Sequence, residues 1–132
     1  MAYEHDMPAA AHRLLDAGKK LQLEQNRRRD VAGYLFGLAA ECAVKAMAER
    51  FPELRRDEVF YAHFPELRTF VLDFVQGRSA QPLVRLLEHD RFMNEWHVKI
   101  RYARKEHVTS KPVEMWQDQA ARAVSLMTGE GG

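Results

Sequence analysis

Between Asp30 and Pro52 the chain carries a run whose apolar cover is too broad for a surface helix. Val31, Leu35, Leu38, Cys42 and Ala46 follow helical spacing along one side, and Tyr34, Ala39, Ala43 and Met47 widen that side. A helix so covered has to be surrounded by others. The small residues Ala32, Gly33, Gly37, Ala39, Ala40 and Ala43 would let those neighbours come close. Asp30 is placed to cap the start, and Pro52 closes the segment because proline disfavours helical geometry in the residue before it.

Weaker stripes flank this central element. Met7, Ala11, Leu14, Leu15, Gly18 and Leu21 predict a first helix from Met7 to about Gln25, with Asn26 to Arg29 as a short connection. Glu53 to His63 reads as a loop. Pro65 and Glu66 open a third helix through Leu67, Phe70, Val71 and Phe74, ending near Gly77. Pro82 opens a fourth, with Leu83, Leu86, Leu87, Met93, Trp96 and Ile100 in register and a kink expected around Asp90. Ser110 and Pro112 mark the last start, with Val113, Trp116, Ala120, Val124 and Met127 inside and a frayed glycine-rich tail from Gly129. No stretch alternates as a strand would. The expected fold is all-α: an up-and-down bundle of four to five helices, one domain over residues 1–132.

Composition excludes several classes. With 46% hydrophobic and 30% charged residues the chain is a globular one, not a disordered one. Its formal net charge of +1 means that any electrostatic function must come from local clustering. Cys42 is the one cysteine, so no disulfide framework can form, and a thiol inside an apolar run fits a reducing compartment. The first residues lack the basic and apolar stretches of a cleaved leader, and Val31 to Ala40 is about half a membrane span before Glu41 interrupts it. A cytoplasmic protein without a membrane segment is expected.

The strongest local clustering lies between His97 and Lys111. Lys99, Arg101, Arg104, Lys105 and Lys111 stand there against Glu106 alone. If the fourth helix continues, His97, Arg101 and Arg104 share a face at i, i+4 and i+7, suited to phosphate because guanidinium forks match its oxygens. The plainer reading is a solvated helix end whose cations oppose the negative end of the helix dipole. Arg101 and His107 are separated by roughly 120° on an unbroken helix. They could meet on one phosphate only if the chain breaks between them or if two subunits contribute. An Arg to stabilise developing charge and a His to move a proton would suffice for RNA cleavage without a metal, the ribose 2′-hydroxyl attacking.

Other charged positions admit two readings each. Glu41 and Lys45, then Lys45 and Glu49, are either an i, i+4 surface ladder or the edge of a polar cleft. His63, just before Phe64 and Pro65, is assigned to capping or loop closure. The six histidines are dispersed and no Cys pair or His-Glu-x-x-His run is present, so no metal site is expected. No glycine-rich phosphate loop or Ser nucleophile elbow occurs either, and no cofactor is expected. Trp96 and Trp116 belong to apolar stripes and are assigned to the core.

Three stretches in order carry a family likeness: Ala32 to Ala46 with its Ala39-Ala40-Glu41-x-x-x-Lys45 character, His63-Phe64-Pro65-Glu66-Leu67, and Trp96 through Arg101-Tyr102 followed by the Pro112 to Met127 helix. Together they resemble the HEPN family, small helical domains named for nucleotide binding in higher eukaryotes and prokaryotes. The resemblance implies a bundle that is usually dimeric, binds RNA or nucleotides, and often works beside a nucleotidyltransferase-type partner in a toxin–antitoxin pair. Active members are metal-independent endoribonucleases with an Arg, four to six intervening residues, then a His. Arg101 and His107 fit that pattern and are the expected catalytic pair, with His97, Arg104 and Lys105 as phosphate contacts. Tyr102 stands where active members carry a polar residue. This implies the alternative, a catalytically silent module that docks onto such a partner.

Overall fold

A computed structural model of the chain describes residues 3–24, 28–89 and 92–129. Among these residues there is no strand, and six α-helices form an all-α bundle: α1 (Met7–Leu23), α2 (Arg29–Ala48), α3 (Asp57–Tyr61), α4 (Glu66–Phe74), α5 (Gln81–Glu88) and α6 (Ser110–Thr128). Short 3-10 helices at Pro52–Leu54, Val98–Tyr102 and Lys105–His107 complete the path.

The centre is α2, against which α1, α6 and the Val98–Tyr102 turn all pack. Its deepest side is Ala32, Phe36, Ala39, Ala40, Ala43 and Val44, each 0% exposed. Of the stripe expected to face inward, Ala46 is buried, as are Ala39, Ala43 and Met47 beside it, whereas Val31, Leu35, Leu38 and Cys42 are only partly buried. The reason is steric. Small residues set the closest approach between helices, and the larger side chains on the other side lie further from the bundle axis. A Cβ on Gly18 of α1 would lie 2.5 Å from the Phe36 ring, and one on Gly37 would lie 1.8 Å from the Trp96 indole. Both positions are closed to any side chain. By length and composition α2 could cross a membrane, but in this fold it is wrapped by the other elements, with 67% of its most apolar window buried.

Local signals explain most boundaries. Asp6 caps α1 by accepting from the Ala9 N–H at 3.1 Å, and Gly129 ends α6 in left-handed geometry. Asp30 is not the cap of α2. Arg28 holds that position and Asp30 sits in the first turn, 3.6 Å from the Arg28 guanidinium, where its charge still complements the helix dipole. The expected loop 53–63 contains the short α3, and α4 stops at Phe74, ahead of Gly77. Asn26, Arg27, Asp90 and the last three residues, on which the connection, the kink and the tail were placed, lie outside the described residues.

The largest departure concerns the fourth helix. It ends at Glu88, not at Ile100. Met93 and Glu95 adopt φ of 53° and 66°, a region that costs about 1–3 kcal/mol for a residue with a side chain. Side chains of α6 hold this turn: the Met93 N–H donates to Gln119 Oε1 at 2.7 Å, and Trp116 Nε1 donates to the Asn94 carbonyl at 3.0 Å. The turn delivers Trp96, 2% exposed, to the groove over Gly37, where its Nε1 donates to the Gly33 carbonyl at 3.0 Å. Burial of a whole indole outweighs helix continuation here. Trp96 and Trp116 are core residues, as their stripes indicated.

Candidate nucleic-acid interface

Downstream of Trp96 the chain runs through two 3-10 turns, the first packed on α2, so His97, Arg101 and Arg104 do not share an α-helical face. His97 caps the first turn: its Nδ1 accepts the Lys99 N–H at 3.0 Å, and its Nε2 makes no hydrogen bond with any described residue. Val98 and Ile100 are partly buried against the core and fix the turn to the bundle. Ala103 and Arg104 are extended, and the second turn follows at once. Val108, 7% exposed, ties the far end down before α6 begins.

Every residue from Arg101 to His107 is exposed. Arg101 lies along α2: its Nη1 reaches the Tyr34 hydroxyl at the long limit of 3.5 Å, and its Cζ sits 4.8 Å from the Tyr102 ring centroid. The hydrogen bond to the Tyr34 hydroxyl raises the guanidinium's pKa above its ordinary value, so it stays charged. Lys99, Arg101, Arg104, Lys105 and Lys111 form no ion pair with any described residue. The cations are therefore free for a ligand's charge. Arg101 and His107 stand on successive turns with extended backbone between, so the chain does break between them, one of the two conditions under which they could share a phosphate.

Glu41 and Lys45 are not members of an exposed ladder. Glu41 is 2% exposed, with one carboxylate oxygen 2.8 Å from His63 Nδ1 and the other accepting the Phe64 N–H at 2.8 Å. Burial pushes its carboxyl above the ordinary range, against the opposing pull of the His63 and Phe64 hydrogen bonds. A single proton between Glu41 and His63 satisfies both, whichever of them holds it. His63 thus closes the loop onto α2, and its carbonyl accepts from Leu67 N in the first turn of α4. Lys45, one turn further along, is 9% exposed, and burial pulls its amine below the ordinary range.

Two features of the molecule do not show in the sequence alone. Tyr34 was read only as apolar cover, yet its hydroxyl is what Arg101 reaches. Arg55 and Arg56 read as loop residues, yet Arg56 stands at the start of α3, its carbonyl accepting from Val59 N and Phe60 N, and its guanidinium lies 3.9 Å from the Phe74 ring centroid. The run Arg55-Arg56-Asp57-Glu58 ahead of Val59 carried the signal, with acids opening a short helix. Among the described residues no three His, Cys, Asp or Glu side chains are grouped to hold a metal ion. Compared with known proteins, the chain matches no family model, no curated protein and no solved structure.

Proposed function

We propose that this chain is a HEPN-like RNA-binding domain whose Arg101 and His107 act as a metal-independent endoribonuclease pair. The observation that carries the reading is the surface from Lys99 to Lys111, five cations without an ion-pair partner among the described residues, held on turns anchored by Ile100 and Val108. Arg101, Arg104 and Lys105 contact phosphate, and the free nitrogen of His97 extends the row. Arg101 then stabilises charge developing on the scissile phosphate while His107 takes the proton of the 2′-hydroxyl. The resemblance supports the working form as a homodimer beside a nucleotidyltransferase-type antitoxin, and the lone thiol of Cys42 fits the cytoplasm. Val31 and Leu35, half-exposed on α2, offer apolar surface to a second copy.

A second reading draws on one specific contact. Arg101 already leans on Tyr34 and Tyr102, an arrangement that suits an Arg with a structural role in a silent module docked on such a partner. RNA binding measured across a salt series separates the two. The leading reading predicts a steep fall in affinity with salt, flattened by the double substitution Arg101→Ala, Arg104→Ala, because fewer counterions are then released. Affinity that is equal at low and high salt would count against an RNA interface.

A further inference from the structure

We infer that the cavity at the end of α2 is a binding site for a small organic monocarboxylate with an aromatic or branched apolar body. It encloses about 330 Å³ between the last turns of α2, the Pro52–Leu54 turn and α3, large enough for such a molecule. It lies apart from the Arg101–His107 surface, and the inference does not depend on the RNA reading.

The observation that points to a ligand is Lys45. Its side chain lines the cavity, is more than nine-tenths buried, and makes no hydrogen bond or ion pair with any described residue. The acid one turn back on the same helix is Glu41, whose two oxygens are committed to His63 and to the Phe64 N–H. The Lys45 ammonium feels the Glu41 charge one turn back but makes no hydrogen bond to it, so an anion inside the cavity would give it a direct partner.

The lining also selects the ligand. Lys45, Arg55 and Arg56 stand against Glu49 and Asp57, so the cavity holds a single net positive charge with His5 neutral. One negative charge balances it, whereas a di- or triphosphate would meet Glu49 and Asp57 with excess charge. Both arginines are steadied from behind: Arg55 Nε donates to the Glu49 carbonyl at 2.7 Å, and Arg56 Nε to the Glu53 carbonyl at 3.1 Å. Opposite the amine the walls are apolar. Phe60 stands at the mouth with the His5 ring 4.7 Å away on one side and the Tyr61 ring 4.8 Å away, edge-on, on the other. The ligand's apolar body can rest against this packed ring cluster while its carboxylate reaches Lys45.

The test uses the whole purified chain and phenylacetate, followed by amide NMR shifts, with phenylacetamide and inorganic phosphate as parallel titrations. Phenylacetate should saturate and shift the amides of Lys45, Leu54 and Phe60, and phenylacetamide should bind at least tenfold more weakly. Lys45→Met should weaken phenylacetate at least tenfold while its thermal melt stays at or above that of wild type. Arg101→Ala should leave binding unchanged. Equal binding of acid and amide would overturn the proposal, as would saturation by phosphate alone or no saturable shift with phenylacetate. The acid–amide comparison needs no variant and stands even if Lys45→Met misfolds.

Discussion

The Glu41–Lys45 level of α2 and the Arg101–His107 turns carry similar residue types in opposite surroundings. At the first, the charged side chains are out of water, and one of them holds a loop through hydrogen bonds of 2.8 Å. At the second, every side chain from Arg101 to His107 is in solvent, and the cations form no ion pair with any described residue. Removing a buried charge changes what is left unsatisfied, so its effects fall on stability. Removing an exposed one changes little but the field a ligand meets. The two regions should therefore respond to mutation in separable ways, one in folding and one in binding.

The largest effect should come from Glu41. Glu41→Ala strands the buried Phe64 N–H and releases His63, and should cost about 3 kcal/mol in urea unfolding. Glu41→Gln should lose less, since an amide oxygen still accepts from Phe64. Its carboxyl is raised above the ordinary value of 4.5, so the folded chain binds more protons than the unfolded one just above that value. Stability should accordingly fall as pH rises through that window, and Glu41→Gln should lack the fall. Equal losses for Ala and Gln would show that the carboxylate's hydrogen bonds do not hold the loop.

Lys45 should respond with the opposite sign. Lys45→Met removes a desolvated ammonium that makes no hydrogen bond with any described residue and should stabilise the ligand-free chain by about 1 kcal/mol near neutral pH. The lowered amine releases its proton in the folded state before the ordinary value of 10.5 is reached. Wild-type stability should therefore rise with pH toward 10.5, while Lys45→Met should lack that rise. Melts across alkaline pH would show it.

The pattern of what could be read from the sequence follows the same division. The helices α1, α2 and α6 were legible because long amphipathic stripes are redundant, and several apolar positions agree on each. The extension of α5 failed because Met93, Trp96 and Ile100 keep helical spacing while the chain between them turns through positive φ. That turn is fixed by α6 and by the Trp96–Gly37 contact, both distant in sequence. The i, i+4 spacing of Glu41 and Lys45 looks alike on a surface ladder and in a core, so only tertiary packing could reveal their burial. Arg101 and His107 were legible as a spacing, but the 3-10 turns that carry them were not.

The smallest effect on stability should be at the exposed surface. Arg101→Ala together with Arg104→Ala should leave the urea unfolding midpoint where it is in wild type, since neither side chain is buried. A loss at Arg101 would mean that its contacts with Tyr34 and Tyr102 support the bundle, which is the silent-module reading.

Cleavage decides between the readings most directly. Wild-type chain and His107→Ala, each refolded from denaturant to free it of any bound partner, would be incubated with mixed RNA in the presence of a chelator. The expected result is cleavage by wild type that leaves 2′,3′-cyclic phosphate ends, and no cleavage by His107→Ala, which still binds RNA nearly as well because only proton transfer is lost. RNA left intact by the wild-type chain, or cut equally fast by His107→Ala, would contradict it.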